Sequence, residues 1–196
     1  MMNSINNVEL VNNLVNKTIK VIKYEVIDKY QVAYQVEKRD VHKLLTLLKS
    51  QGWKQLSYLS AIDWIVENEF EVVYILFNWE KPVYIQIRTR IDRDNPVMET
   101  ILPIFSGAKY YEREVHEFFG IAFPGNPDYE KQLILEGWDD IPPLRKDFDP
   151  EVYSDKKFPK RKYSHDYSVT DPKNQRKAKR EAREKHAASL RGGKTK

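Results

Sequence analysis

Five ionisable side chains fall within six positions at Glu112-Arg113-Glu114-Val115-His116-Glu117, just before Phe118-Phe119-Gly120-Ile121. Such a set could run acid–base chemistry through paired carboxylates, hold a metal through His and Glu, or form ion pairs along a helix surface. Spacing discounts the metal. His116-Glu117 matches the start of a zinc-protease helix, but Gly120 stands where the second His belongs, and His42, His165 and His186 show no ligand spacing. A hydrolytic carboxylate pair has no support beyond the presence of acids. On a helix, Glu112 and His116 lie at i and i+4, as do Arg113 and Glu117. Spacing alone therefore favours a solvated surface laced with ion pairs of about 0.3–0.5 kcal/mol each. A second charged group, Arg145-Lys146-Asp147, follows Pro142-Pro143. The prolines stiffen the approach, and the planar Arg fork suits a carboxylate or phosphate, so Arg145 is a candidate anchor on a partner; a surface ion pair with Asp147 is the plainer option.

The elements that must position these residues are read from periodicity. Val8, Val11, Leu14 and Val15 predict a short helix over 7–16. Strands are expected at 19–27 and 30–36, joined by Asp28-Lys29. Asp40 reads as an N-cap before an amphipathic helix over 41–50, with Val41, Leu44, Leu45 and Leu48 on its apolar stripe and Gly52 beyond its end. Strands follow near 55–64, 70–78 and 83–90, the last two connected through Asn78–Pro82. Val83, Ile85 and Ile87 should share one face, and Tyr84, Gln86, Arg88 and Arg90 the other. Asn95-Pro96 predicts a helix over 96–104. Another is expected over 108–119, with Tyr111, Val115 and Phe118 on one face and Gly120 ending it. The expected fold is α+β: one domain with a four- to five-stranded mixed or antiparallel sheet flanked by helices.

Past Gly120 the periodicity stops. Prolines at 124, 127, 142, 143, 150 and 159 favour an extended path. That path carries Ile121, Phe123, Tyr129, Leu133, Ile134, Leu135, Trp138 and Leu144, more apolar surface than an isolated loop can bury. It is either an interaction surface or packed over the sheet. The expected organisation is a core domain over 1–120, an extended docking arm over 121–155 and a basic tail over 156–196.

Charge separates the tail from the rest. Residues 156–196 hold 15 Lys+Arg and 4 Asp+Glu, net +11, whereas residues 1–155 net −7. Residues 173–190 favour helix by composition but have almost no apolar face. The tail could meet nucleic acid, an anionic lipid or acidic partner, or only solvent. It lacks interleaved aromatics after Tyr167, which counts against RNA specificity. The chain has no Cys, which excludes disulfides, a Cys nucleophile and Cys-held clusters. No apolar run approaches the ~20 residues of a membrane span. Met1–Asn7 lacks the plan of a signal peptide, so a cytoplasmic chain is expected, with any membrane link made through partners.

Over about forty residues the sequence resembles one family: the C subunit of NADH-quinone oxidoreductase, the 30 kDa subunit of respiratory complex I, with the matching subunits of membrane-bound hydrogenases. Glu112-Arg113-Glu114, Glu117-Phe118-Phe119-Gly120-Ile121, Gly125-Asn126-Pro127 and Pro143-Leu144-Arg145-Lys146-Asp147-Phe148 match its pattern in order and rough spacing. Asn126 stands where the bacterial and mitochondrial turn usually has His. The stretch Leu133-Ile134-Leu135-Glu136-Gly137-Trp138 lacks the usual paired arginines. Both departures look more like archaeal relatives in ferredoxin-linked or hydrogenase-type complexes.

The resemblance implies a non-catalytic peripheral-arm subunit that binds no redox cofactor itself. Its partners would be a large quinone-site or nickel–iron-type catalytic subunit, iron–sulfur subunits that carry the clusters, and membrane antiporter-like subunits. Electrons would pass from NADH, ferredoxin or a similar donor to quinone or another acceptor. The chain would sit at the cytoplasmic side of the membrane, held through the complex, with no specific nucleic acid partner. The motif residues, with Phe123 and Trp138, would then serve docking rather than catalysis. Two other functions compete: an RNA-binding module using the basic tail, and a stand-alone enzyme. The second lacks a phosphate loop, dinucleotide fingerprint, nucleophile elbow or metal spacing.

Overall fold

The structure is a computed structural model that describes residues 4–158 and 179–181. The chain divides into two units, Met1–Pro150 and Glu151–Lys196. In the first, α1 (Ser4–Thr18) leads into the hairpin of β1 (Val21–Asp28) and β2 (Gln31–Val36). A short 3₁₀ turn, Lys38–Asp40, precedes α2 (Val41–Ser50). Then come β3 (Gln55–Trp64), β4 (Glu69–Phe77), β5 (Tyr84–Asp92) and α3 (Ala108–Phe119). The chain adopts the expected α+β fold, and of the four- to five-stranded mixed or antiparallel sheets expected, it forms the five-stranded mixed one.

Strand order is β1-β2-β5-β4-β3. All neighbours are antiparallel except β2 and β5, which run parallel because α2, β3 and β4 intervene between them. Register aligns the apolar residues across strands: Val32 with Ile85, Tyr34 with Ile87, and Ile87 in turn with Tyr74. These side chains form one core with Val11 and Val15 of α1, Leu44, Leu45 and Leu48 of α2, and Val115 and Phe119 of α3. The alternate residues line the other face, where Arg90 pairs with Glu69 and Glu71 and lies over the Trp64 ring.

Three local expectations are corrected. Asp40 makes no side-chain cap; it sits in a helical conformation as the last residue of the 3₁₀ turn, whose carbonyls already serve the entering N–H groups. No helix forms over 96–104. Pro103 denies that stretch an interior donor, and Val97 instead bridges Ala122 in parallel. The pairing is extended by Met98 N–H on the Ala122 carbonyl, Ala122 N–H on that of Pro96, and Thr100 N–H on that of Pro124. Residues 150–157 are not extended but helical, α4 (Pro150–Lys157); Pro150 at the first helical position, followed by Glu151, is the signal for it. The expected helical bias of 173–190 lies outside the described residues apart from 179–181.

Candidate functional site

The charged run of α3 does not face solvent as an ion-pair lattice. Glu112 turns inward and is fully buried. One carboxylate oxygen accepts Ile101 N–H at 2.8 Å. The other accepts the Thr100 hydroxyl at 2.6 Å and the Asn126 side-chain amide at 2.9 Å. Burial pushes the Glu112 carboxyl up, and the three donated hydrogen bonds oppose that rise. The carboxylate thereby joins α3 to the 96–101 segment and to the turn at Gly125-Asn126-Pro127. His42 of α2 reaches the same place through the Thr100 carbonyl at 2.9 Å. Asn126 is itself buried, and its carbonyl oxygen accepts Asp128 N–H. The position needs an N–H donor aimed at a buried carboxylate, which Asn supplies. Gly125 is left-handed, and a Cβ there would stand 2.8 Å from the Thr100 methyl, so this turn fits only glycine.

Arg113 and Glu117, one turn apart, clasp the next loop by its backbone. Arg113 donates to the carbonyls of Lys131 and Gln132 at 3.2 and 2.7 Å. Glu117 accepts the N–H groups of Leu133, Ile134 and Leu135 at 2.9–3.1 Å. A cation thus meets the carbonyl side of the loop and an anion its amide side. Asp128 bridges Lys109 and Lys131, which hold its carboxyl down at about 2. His116 pairs with the Ile121 carbonyl and packs edge-on against Tyr129.

The far end of the arm returns to the sheet. Gly120 closes α3 in a left-handed conformation, with Pro142 packed against it. Leu144 N–H donates to the Phe118 carbonyl. The buried Asp63 of β3 receives a two-pronged pair from Arg93 at 2.9 and 3.2 Å and the Lys146 N–H at 2.7 Å. Burial raises the Asp63 carboxyl, but the hydrogen bonds from Arg93 and Lys146 and the nearby Arg93 and Arg145 charges prevail and lower it. Arg93 also holds Asp147 at 2.8 Å. Arg145 donates to the Arg93 carbonyl and lies over the Phe70 ring, so Asp147 pairs with Arg93 rather than with Arg145. Trp138 packs on Phe148 and donates to the Ile141 carbonyl.

The motif residues therefore divide by position. Glu112, Phe119, Ile121, Phe123 and Asn126 are buried within the chain. Arg113, Glu117, Arg145, Lys146 and Asp147 bind other parts of it. Glu114, half-buried on α3, makes no side-chain hydrogen bond or ion pair among the described residues. Exposed apolar side chains follow the same helix: Tyr110 on α3, Ile134 (59%) in the loop held by Glu117, Ile141, and Leu144 (51%) beside Phe118. Sequence reasoning misses Asp63, Arg93 and Thr100. Asp63 carries a signal, since period two puts it on the same strand face as Leu59 and Ala61. Among the described residues no group of three or more His, Asp or Glu could hold a metal, and no helix is long and apolar enough to cross a membrane.

Residues 34–154 match the family described as the respiratory-chain NADH dehydrogenase 30 kDa subunit. The chain belongs to that family. Relatives include the mitochondrial NADH-ubiquinone oxidoreductase 30.4 kDa subunit of Neurospora crassa, 36% identical over 56% of this chain and 38% of that protein. The C subunit of the F(420)H(2) dehydrogenase of Methanosarcina mazei is 30% identical over 58% of this chain and 73% of that protein. The match spans about half the length of several NADH-quinone oxidoreductase C subunits. Among solved structures, a chain of the archaeal membrane-bound sulfane sulfur reductase, a respiratory membrane complex, superposes with a TM-score of 0.74 at 31% identity, covering 85% of this chain and 99% of that one. A trypsin-resistant fragment of Nqo5 shares the fold at a TM-score of 0.51 and 21% identity.

Proposed function

We propose that this subunit is a non-catalytic scaffold of a complex I-type membrane oxidoreductase, docking on the large catalytic subunit through the outer side of α3 and the arm bound to it. The observation that carries the reading is the division of the motif. Its charges Glu112, Arg113 and Glu117 hold neighbouring segments in place, while half-buried Glu114 lies on α3 with exposed Tyr110, and Ile134 and Leu144 are exposed in the arm bound to that helix. Aromatic and aliphatic groups along a helix carrying a charge with no partner among the described residues suit a protein interface. The arm's fixed shape lowers the entropy lost on docking. The reading needs no redox group here, since a chain without Cys supplies no thiolate to a cluster; the clusters would belong to partner iron–sulfur subunits. The complex would be ferredoxin-linked or of the membrane-bound hydrogenase type, held at the cytoplasmic side of the membrane. The archaeal respiratory relative and the two departures at Asn126 and 133–138 support that choice.

Affinity purification of the tagged chain from gently solubilised native membranes, followed by mass spectrometry, tests this. Co-recovery of iron–sulfur subunits, a large quinone-site or nickel–iron-type subunit and antiporter-like membrane subunits is expected. The nickel-binding cysteines of the large subunit, present or missing, choose between hydrogenase and quinone reductase. Recovery of the chain alone, or with RNA and no redox partner, overturns the proposal.

A further inference from the structure

The edge strand β1 has a sequence that is its own chemical complement when reversed. In Lys20-Val21-Ile22-Lys23-Tyr24-Glu25-Val26-Ile27-Asp28, every base before Tyr24 has an acid at the same distance after it, and every β-branched residue has another. Laid antiparallel on a second copy about a two-fold axis at Tyr24, Lys23 faces Glu25, Ile22 faces Val26, Val21 faces Ile27, Lys20 faces Asp28 and Tyr24 faces itself. Directly opposed residues of antiparallel strands share a face, so each of these is a side-chain pair and none sets like charges together.

The structure leaves this edge open. β1 ends the strand order, and among the described residues its ladder partner is β2 alone. Ile22 and Val26 are 53% and 52% exposed, and Tyr24 and Ile27 are exposed with them. The opposite edge, β3, is covered: Tyr111 donates to the Ser57 carbonyl, and the arm sits on Asp63. Exposed edges are usually blunted by proline, shortness or unmatched charge. β1 has eight residues and no proline, and its charges match each other. Bulges also blunt an edge, and β1 has register shifts against β2 near Ile22 and Ile27; the regular run between them, Lys23–Val26, holds the central Lys23–Glu25 and Tyr24–Tyr24 pairs.

We infer that β1 is a self-pairing edge through which two copies of this chain associate, joining their sheets. The inference does not rest on the docking proposal, which uses α3 and the arm. One strand pair buries less than a standard interface, so the dimer is a weak one that dissociates on dilution.

Sedimentation of the full chain across a concentration series is the test. The K23E and E25K variants each convert two Lys–Glu contacts per dimer into like-charge contacts and should weaken association roughly tenfold or more. The double variant K23E/E25K keeps the complementarity and should restore it. Lys23 and Glu25 also lie 3.9 Å apart within one chain, so thermal unfolding at a concentration where the chain is monomeric separates a folding defect from an association defect. Since the chain has no Cys, the Tyr24→Cys variant should oxidise to a disulfide-linked dimer if the two-fold axis passes there. A monomer at every concentration, or a dimer whose affinity ignores both reversals, overturns the inference.

Discussion

The sheet body and the arm are held by different physics. In the body, apolar side chains from four strands and three helices meet in one core, and burial of area supplies the stability. Across the arm and the 96–101 segment that pairs with its start, charged side chains meet backbone. Glu112 binds Ile101, Glu117 binds three amides, Arg113 binds two carbonyls, and Asp63 binds Lys146. A path interrupted by prolines cannot satisfy its own backbone groups in a helix or sheet. Carboxylates and an Arg lent by α3 and β3 do so instead. Truncations in the body should therefore lower stability everywhere, while changes in the clasp should release particular segments.

Glu112→Ala offers the strongest break of this contrast. It strands the Thr100 hydroxyl, the Ile101 N–H and the Asn126 amide in the interior. The expected loss is about 3–5 kcal/mol in denaturant unfolding, in the range of Leu45→Ala in the body at about 2–5 kcal/mol. The two should differ in hydrogen exchange, with Glu112→Ala exposing the amides of 98–101 and 122–126 first. Glu112→Gln separates charge from shape. The Glu112 carboxyl titrates higher in the folded chain than unfolded, so its contribution is full below the unfolded value, about 4.3, and is lost as pH rises through the raised folded value. The advantage of Glu over Gln should shrink from about pH 4 upward.

The Asp63 clamp should show the opposite sign. Its folded pKa is lowered, so its contribution is full above the unfolded value, about 3.9, and is lost as pH falls through the lower folded value. Asp63→Ala should cost about 2–3 kcal/mol at pH 7, by leaving the mostly buried Arg93 with Asp147 alone. The difference from wild type should hold between pH 7 and 5 and close below about 4. A difference that instead widens in acid would show that Asp63 does not anchor the arm through its charge.

Most of the body was legible in the sequence, and the clasp was not. The helix over 41–50 and the strand over 55–64 lie where periodicity puts them, because apolar side chains at helical or alternating spacing report the face they bury. The charges of α3 gave no such report. Glu112 and Glu117 have the same side-chain chemistry and neighbouring spacing, yet one lies in the core and the other caps a loop. What separates them is Thr100, Ile101 and Asn126 on one side and residues 133–135 on the other, and no local pattern links these to α3. The expected helix over 96–104 failed for the same reason. Its Thr100 and Ile101 donors are taken by a carboxylate from α3 and its backbone by Ala122, a tertiary choice that the Asn95-Pro96 start signal cannot reveal. The family resemblance located the motif, whereas the structure distinguishes the residues that hold the arm from those turned outward.

A smaller and more local effect is expected at Glu117. Glu117→Gln keeps one acceptor oxygen and loses the charge that three amides share. It should cost about 1–2 kcal/mol, since hydrogen bonds to charged groups contribute more than neutral ones. Exchange at Leu133, Ile134 and Leu135 should rise at least tenfold, while the midpoint of global unfolding moves little. A fall in global stability matching that of Glu112→Ala would mean that loop and core unfold as one unit, removing the distinction between clasp and body.

At the bottom of the scale for stability stand Glu114→Gln and Leu144→Ala. Both side chains are turned outward, so each change should shift unfolding by no more than about 0.5 kcal/mol. Their effect belongs to the assembly. At a docked interface, removing a desolvated charge or an aliphatic anchor commonly costs more than about 1 kcal/mol, a tenfold or larger loss of affinity. The double variant should therefore fold as wild type does and yet recover far less of the large subunit from solubilised membranes. Quantitative mass spectrometry of the co-purified subunits, beside a thermal melt of each variant, measures both sides of that split. Undiminished recovery would move the docking surface off the outer side of α3, leaving the clasp as a device for the chain's own stability.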